Sequence, residues 1–243
     1  MLYRRARRVA AVADSFVDIL ERRGIPRRKT FVVKNGVDLQ RFRPDIDGSE
    51  IKAQFSLEGK FIVMYIGTIG MAHALEVALE AARRTRQDNS IVYMLVGTGA
   101  RHDELENRAK ELGLSNVVFA GRRPREEVPE FLAAADAVLV HLKAAELFGN
   151  VIPSKIFEIM GCAKPIIMGV RGEALRIVQD AGAALAMKPE SADDLVAAVR
   201  QLRDTPSLAE RLGRSGRAYV EANFDRDKLA EDYIRLLERA VLS

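Results

Sequence analysis

Asn150-Val-Ile-Pro-Ser-Lys-Ile-Phe-Glu-Ile-Met-Gly-Cys-Ala-Lys-Pro165 reads as a loop, a helix and the approach to a strand, in that order. Pro153 suits the first helical turn, where its missing N–H costs nothing, so Pro153-Ser154 marks a helix start. Gly161 ends that helix, and the apolar run Pro165-Ile-Ile-Met168 follows as a strand. A helix start carries unpaired N–H groups and the positive end of the dipole, which together suit a phosphate. Lys155 stands in that first turn, where a cation is disfavoured unless an anion lies opposite. Glu158, three residues on, occupies a neighbouring part of the same face and could accept hydrogen bonds from sugar hydroxyls. Spacing alone fits an ordinary i,i+3 ion pair on a solvated helix at least as well.

Strands and helices alternate on both sides of this stretch. Toward the amino end, residues 61–66, 91–96, 117–119 and 137–140 are apolar runs of strand length. Between them, helical periodicity covers residues 74–85, 103–112 and 125–135. Toward the carboxyl end come a helix over 173–180, a short strand over 183–187 and a helix over 191–202, with Ser191 as its cap. Two further helices cover 207–222 and 225–242. At the amino end Val9, Val12, Ala13, Phe16 and Leu20 keep helical spacing up to the Gly24-Ile-Pro26 break, and residues 31–33 form a short strand. This alternation predicts an α/β fold, a doubly wound parallel sheet of Rossmann-like type with extra carboxyl-terminal helices. Ligands of such sheets bind beyond the carboxyl ends of the strands. Gly67 to Gly70, Gly97 to Gly99 and Gly121 fall there, as turn makers or as points of close backbone approach. Neither a three-glycine dinucleotide fingerprint nor a Walker-type Gly-Lys-Ser/Thr is present.

With 48% hydrophobic and 30% charged residues among 243, the chain has the composition of a soluble globular protein long enough to bury a core. No apolar run reaches membrane-spanning length. One cysteine, Cys162, excludes a disulfide framework and fits a reducing, cytoplasmic setting. Three scattered histidines add no metal-ligand spacing, so no metal is expected. Arginines crowd the amino end (Arg4, Arg5, Arg7, Arg8, Arg22, Arg23, Arg27, Arg28). With few aromatics among them and no nucleic-acid motif, they read first as a solvated helix face. Peripheral contact with anionic headgroups comes second, and no nucleic-acid partner is expected.

The ordered set of motifs resembles the carboxyl-terminal half of a GT-B glycosyltransferase of the retaining group-one family. Val33-Lys-Asn-Gly-Val-Asp-Leu-Gln-Arg-Phe-Arg-Pro44 is similar to that family's "PNGVDxxxFxP" crossing between its two Rossmann-like domains. Leu95-Val-Gly-Thr-Gly99, Asn116-Val-Val-Phe-Ala-Gly121 and Leu132-Ala-Ala-Ala-Asp136 follow in the family's order. Pro153-Ser-Lys-Ile-Phe-Glu158 resembles the branch carrying "PSKxFE", often met in surface-polysaccharide sugar transferases. The resemblance implies sugar transfer from a nucleotide-diphosphate sugar, with a UDP-sugar favoured, to a glycan or lipid-linked acceptor, with no metal or other cofactor. Glu158 would hold the donor ribose, Lys155 and the N–H groups after Pro153 and Ser154 the diphosphate, Gly121 and Arg122 the base, and Gly67 to Gly70 the phosphates.

Three positions depart from the family pattern. Asn150 stands where many relatives carry the first of two glutamates; its amide can still bond the donor sugar, and nearby Glu146 is the alternative. Thr68 and His73 stand where relatives carry a phosphate-binding arginine and lysine, which leaves His73 either a phosphate contact or a loop histidine without a role. The catalytic residues are not identified. The resemblance further implies that residues 1–45 are the end of an amino-terminal acceptor domain with the interdomain linker, and residues 46–243 the donor domain. The rest of the acceptor domain would come from a longer protein, a partner chain or a homo-oligomer. A nucleotide-sugar-binding module without turnover and an epimerase-like enzyme remain as rival readings. The closing helix, with Leu229, Tyr233, Leu236, Leu237 and Ala240 on one face, and the segment Val9 to Leu20 should either pack together or expose apolar surface.

Overall fold

The computed structural model describes residues 2–242, the side chains of residues 146, 147, 241 and 242 excepted. A short helix α1 (Leu2–Arg5) precedes β1 (Val9–Ala11), α2 (Asp14–Arg22) and β2 (Thr30–Val32). The two strands pair in parallel, Val9 opposite Thr30 and Ala11 opposite Val32. The single helix expected from Val9 to Leu20 is therefore a strand followed by a helix. Small and β-branched residues at 9–13 satisfy a period of 3.6 and a period of 2 alike, and pairing with β2 settles the choice. The helix then begins at Asp14 because a carboxylate waits there: Asp14 and Ser15 donate their N–H groups to the two oxygens of buried Glu173, at 3.2 and 3.1 Å. In that register Ala13 and Val17 are buried, and Val12 and Phe16 face outward.

The main body contains α3 (Ser49–Gln54), β3 (Phe61–Ile66), α4 (Glu76–Thr85), β4 (Ile91–Val96), α5 (His102–Glu111) and β5 (Val117–Gly121). It continues through α6 (Val128–Ala134), β6 (Ala137–His141), α7 (Lys155–Gly161), β7 (Ile166–Gly169), α8 (Glu173–Asp180) and β8 (Ala184–Ala186). Three helices close the chain: α9 (Ala192–Asp204), α10 (Pro206–Asn223) and α11 (Arg226–Leu242). The six strands are parallel in the order β5-β4-β3-β6-β7-β8. Side-chain alternation splits the core in two. Ile62, Met64 and Ile66 join Phe131, Ile156, Phe157, Ile177 and Phe224 on one face. Val63 and Tyr65 join Leu79, Leu105, Leu195 and Val199 on the other. This is the expected doubly wound sheet.

Helix starts differ from the periodicity in two places. Met71–His73 is a 3-10 turn, and α4 begins only after Ala74 takes a left-handed conformation at φ 44°. Arg125–Glu127 is likewise a 3-10 turn ahead of α6. Ser191 caps α9 as expected, its Oγ accepting the Asp194 N–H at 3.2 Å.

The strand order reverses between β3 and β6. The chain builds outward from β3 through β4 to β5, then returns to β6 on the other side, so loops leave β3 and β6 in opposite directions and open a crevice between them. The linker and α11 border the same region. The Val37 N–H donates to the Phe224 carbonyl at 2.8 Å, and the Arg226 N–H donates to the Val37 carbonyl at 3.0 Å. Gly36 is required at this crossing, since a Cβ there would lie 2.7 Å from the Arg226 Cα. Beyond it α11 lays Tyr233 on Phe31 of β2, ring centroids 6.3 Å apart, while Ile234 and Leu237 stay exposed. Of the face expected on the closing helix, Tyr233 thus packs on Phe31, outside Val9 to Leu20, and Leu237 is exposed.

Candidate functional site

The segment after β6 reaches α7 through a 3-10 turn, Glu146–Asn150, and the extended residues Val151 to Pro153. Ser154 precedes the helix with helical backbone angles and no side-chain cap bond. The first turn uses part of its own donors: Ile156 and Phe157 bond back to the Pro153 and Ser154 carbonyls at 3.1 Å. Any anion at this start would therefore meet the N–H groups of Ser154 and Lys155 rather than the whole first turn.

Lys155 does not turn toward Glu158. Its ammonium lies over the Tyr65 ring, 4.1 Å from the centroid, and 2.6 Å from where a Cβ on Gly67 would be. Gly67 is needed to admit it, and the backbone there, at φ 139°, suits glycine alone. Burial pushes the Lys155 ammonium down to about 8, against the pull of the Glu158 charge. Tyr65 is anchored by its hydroxyl, which donates to the Thr68 carbonyl at 2.6 Å. His73 stacks edge-on against Tyr65 at 5.8 Å, and its Nδ1 is buried without a hydrogen-bond partner. Burial and then the Lys155 charge hold the His73 imidazole below its ordinary value.

Glu158 occupies a different setting. Burial raises its carboxyl, and Arg125, Arg41, Lys155 and Arg226 pull the other way in that order. The nearest of these, Arg125, lies 3.9 Å away on an exposed side chain and is itself braced by Arg41, which donates to the Arg125 carbonyl.

Three adjoining clefts follow the carboxyl ends of the strands. The central one, about 310 Å³ at the reversal of strand order, is lined by Gly67, Thr68, His73, Pro153, Ser154 and Lys155, among others. Gly67 and Thr68 also wall a second cleft of about 380 Å³ with Thr98, Arg122 and Arg123. Ser154 is shared with a third, also about 380 Å³, that takes in Glu158, Arg125, Lys34 and Arg226. The structure thus brings Gly67, His73, Arg122, Pro153, Ser154, Lys155 and Glu158 onto one trough.

It does not bring all the expected residues there. Gly70, Gly121 and Asn150 line none of the three clefts. Gly97 and Gly121 serve the packing of the loops: the Gly97 N–H donates to the Gly121 carbonyl at 2.8 Å, and a Cβ on Gly97 would strike the Gly67 carbonyl. Asn150 ends its 3-10 turn half-buried, and the side chain of Glu146, its alternative, lies outside those described. Tyr65, Arg125 and His141 went unread in the sequence. Tyr65 looks like any core aromatic in an apolar strand. The signal for His141 was available, a polar residue at the carboxyl end of a buried strand. Among the described residues no group of His, Cys, Asp and Glu is arranged to hold a metal ion, and no helix is long and apolar enough to cross a membrane.

A doubly wound parallel sheet with clefts at its switch point defines an α/β domain of the Rossmann-like class, whose ligands bind at that point. The profile of the family described as Glycosyl transferases group 1 matches residues 47–219, well over half of the chain, and the chain belongs to that family. Among curated relatives, the putative colanic acid biosynthesis glycosyl transferase WcaI of Escherichia coli is 27% identical over 93% of this chain and 56% of its own length. The lipopolysaccharide core biosynthesis glycosyltransferase LpsD of Rhizobium meliloti is 31% identical over 65% of this chain and 45% of its own. The chain spans about half the length of the curated relatives it matches. Among solved structures, Anabaena HepE in complex with UDP superposes with a TM-score of 0.85 at 20% identity, covering 96% of this chain and 64% of HepE. The carboxyl-terminal domain of LpcC from Francisella tularensis, of a group 1 glycosyl transferase, gives 0.65 at 22% identity over 78% of this chain and 99% of that domain. These likenesses establish the GT-B half-fold.

Proposed function

We propose that this chain is the donor-binding half of a retaining glycosyltransferase that moves a sugar from a nucleotide-diphosphate sugar to a glycan or lipid-linked acceptor. The observation that carries this reading is the Lys155 ammonium, buried against Gly67 and Tyr65 at the switch point with a ring face and, among the described side chains, no ion-paired carboxylate. A cation so placed is completed by an anionic ligand. In the proposed reaction the bond between the anomeric carbon and the diphosphate oxygen breaks, and the acceptor oxygen bonds on the same face as its proton passes to the departing diphosphate. Lys155 offsets the charge that develops on the departing diphosphate, with no metal in that role. Glu158 accepts the ribose hydroxyls, and Arg122 borders the base in the neighbouring cleft. UDP is favoured because HepE, which shares the fold, was solved with UDP.

Residues 1–45 are proposed as the end of the acceptor domain, the remainder of which lies in a longer protein or a partner chain. The arginine-rich start would then face anionic headgroups at the inner membrane surface. A second reading, a nucleotide-sugar-binding subunit with no turnover of its own, is favoured by Asn150, which stands half-buried outside the clefts where the first acid was expected. Calorimetric titration with UDP, GDP and ADP in the absence of metal tests the donor site: saturable binding of one, weakened in Glu158→Ala, supports it. No binding of any of the three breaks it. Sugar transfer on adding the acceptor domain would exclude the second reading.

A further inference from the structure

We propose that His141 is a positioning residue, a neutral imidazole of fixed tautomer that ties together three loops beneath the donor cleft. The inference rests on the donor-site reading of that cleft. His141 ends β6 and is only 1% exposed. Its Nδ1 lies 2.7 Å from the His73 carbonyl oxygen, and its Nε2 lies 2.8 Å from the Glu190 backbone nitrogen. A carbonyl can only accept and an amide N–H can only donate, so Nδ1 carries the proton and Nε2 is bare. The bonds run on from there. The Glu190 carboxylate accepts the Ala144 N–H at 2.8 Å, and the Lys143 N–H donates to the Ala72 carbonyl at 2.9 Å. Gly169 leaves room for the ring, since a Cβ there would strike its Cδ2.

One imidazole therefore joins the turn that carries His73, the segment that leads on to Pro153, Ser154 and Lys155, and the β8–α9 loop, where Glu190 is held in the left-handed region at φ 64°. What it aims is specific. His73 Nδ1, buried and unpartnered, shares the cleft wall with Lys155. Protonation of His141 would replace the Nε2 acceptor by an N–H facing the Glu190 N–H and release the tie. The His73 carbonyl, then Glu190 and, from α4, Glu76 favour the charged ring, which would in turn disfavour charge on the His73 imidazole. Burial outweighs the acids and holds the imidazole below its ordinary 6.5.

Nitrogen NMR of the chain at pH 7.5 should find His141 as the Nδ1–H tautomer. Calorimetric titration with UDP-glucose, whose esterified phosphates do not titrate near neutrality, should show affinity falling as pH drops below about 6.5. In His141→Gln, which keeps an acceptor but takes up no proton, that acid loss should vanish. His141→Phe, lacking both bonds, should bind about tenfold more weakly than the unaltered chain at pH 7.5 and show no further acid loss. An Nε2–H tautomer or an imidazolium at pH 7.5 overturns the proposal, and so does the same acid loss in His141→Gln. If UDP-glucose fails to bind the unaltered chain at any pH, the donor reading fails, and the tautomer alone then decides for or against the tie.

Discussion

Lys155 and Glu158 sit one helical turn apart on α7, both partly withdrawn from water, yet their surroundings are opposite. The ammonium faces an aromatic ring and a glycine, and among the described side chains it has no ion pair, only the more distant pull of Glu158. The carboxylate is faced by Arg125, with Arg41 and Arg226 contributing from farther off. A desolvated charge without a partner costs stability, and a structure retains one where a ligand completes it. The lysine end of the trough is therefore built around something absent from the chain, and the glutamate end is largely balanced already. Binding energy should follow that asymmetry.

The widest gap should open at Lys155. Lys155→Met should weaken UDP binding by roughly a hundredfold, about 2.7 kcal/mol, while uridine, lacking the diphosphate, loses little. The same variant should melt no lower than the parent. The unfolded chain protonates this lysine at its ordinary 10.5 and the folded chain only at about 8, so below pH 8 the buried ammonium opposes folding. Calorimetry and a thermal melt check both halves; equal losses for UDP and uridine, or a lowered melting point, would return Lys155 to a structural role. A smaller effect tests the same charge by pH. As pH rises through about 8 the free ammonium is lost, so UDP-glucose affinity should fall by up to roughly tenfold per unit until the bound form titrates. Titrations in buffers of different ionisation heat should then show a proton taken up on binding.

Glu158 should respond more mildly. Glu158→Gln keeps one acceptor and should cost roughly three- to tenfold, about 0.7–1.4 kcal/mol, shared equally by UDP and uridine. A loss confined to UDP would mean that the carboxylate acts on the phosphates instead. Arg125→Ala should change least. Its side chain is 67% exposed and 3.9 Å from Glu158, so stability in a denaturant titration should move by less than about 0.5 kcal/mol.

The body of the sheet was legible because its four central strands are buried on both faces and stand out as apolar runs bounded by glycines. The helix over Glu173–Asp180 and the Ser191 cap were read to the residue. The amino-terminal unit was not, since the strand Val9–Ala11 exists only through its pairing with Thr30–Val32, and α2 starts where Glu173, far along the chain, offers its carboxylate. At the site, Pro153, Ser154, Lys155 and Glu158 could be found from local helix-start chemistry. The direction of Lys155 could not, because a three-residue spacing from Glu158 promises an ion pair that Tyr65 and Gly67 displace. Gly121 is expected against the base but lines none of the clefts, its carbonyl taken by the Gly97 N–H, while Gly97, open to either role, both fits against Gly67 and walls the second cleft.

By itself the sequence determined the period of the elements in the main sheet and its helices, the order of their strands along the chain and the glycine-bearing loops that end them, since these depend on neighbours within a few residues. Only the tertiary structure decided which loops meet. The reversal of strand order between β3 and β6 sets Gly67 against Lys155, and the hydrogen bonds of one buried imidazole join His73 to Glu190. Partners so distant along the chain leave no periodicity to read, because the geometry that pairs them exists only once the sheet has formed.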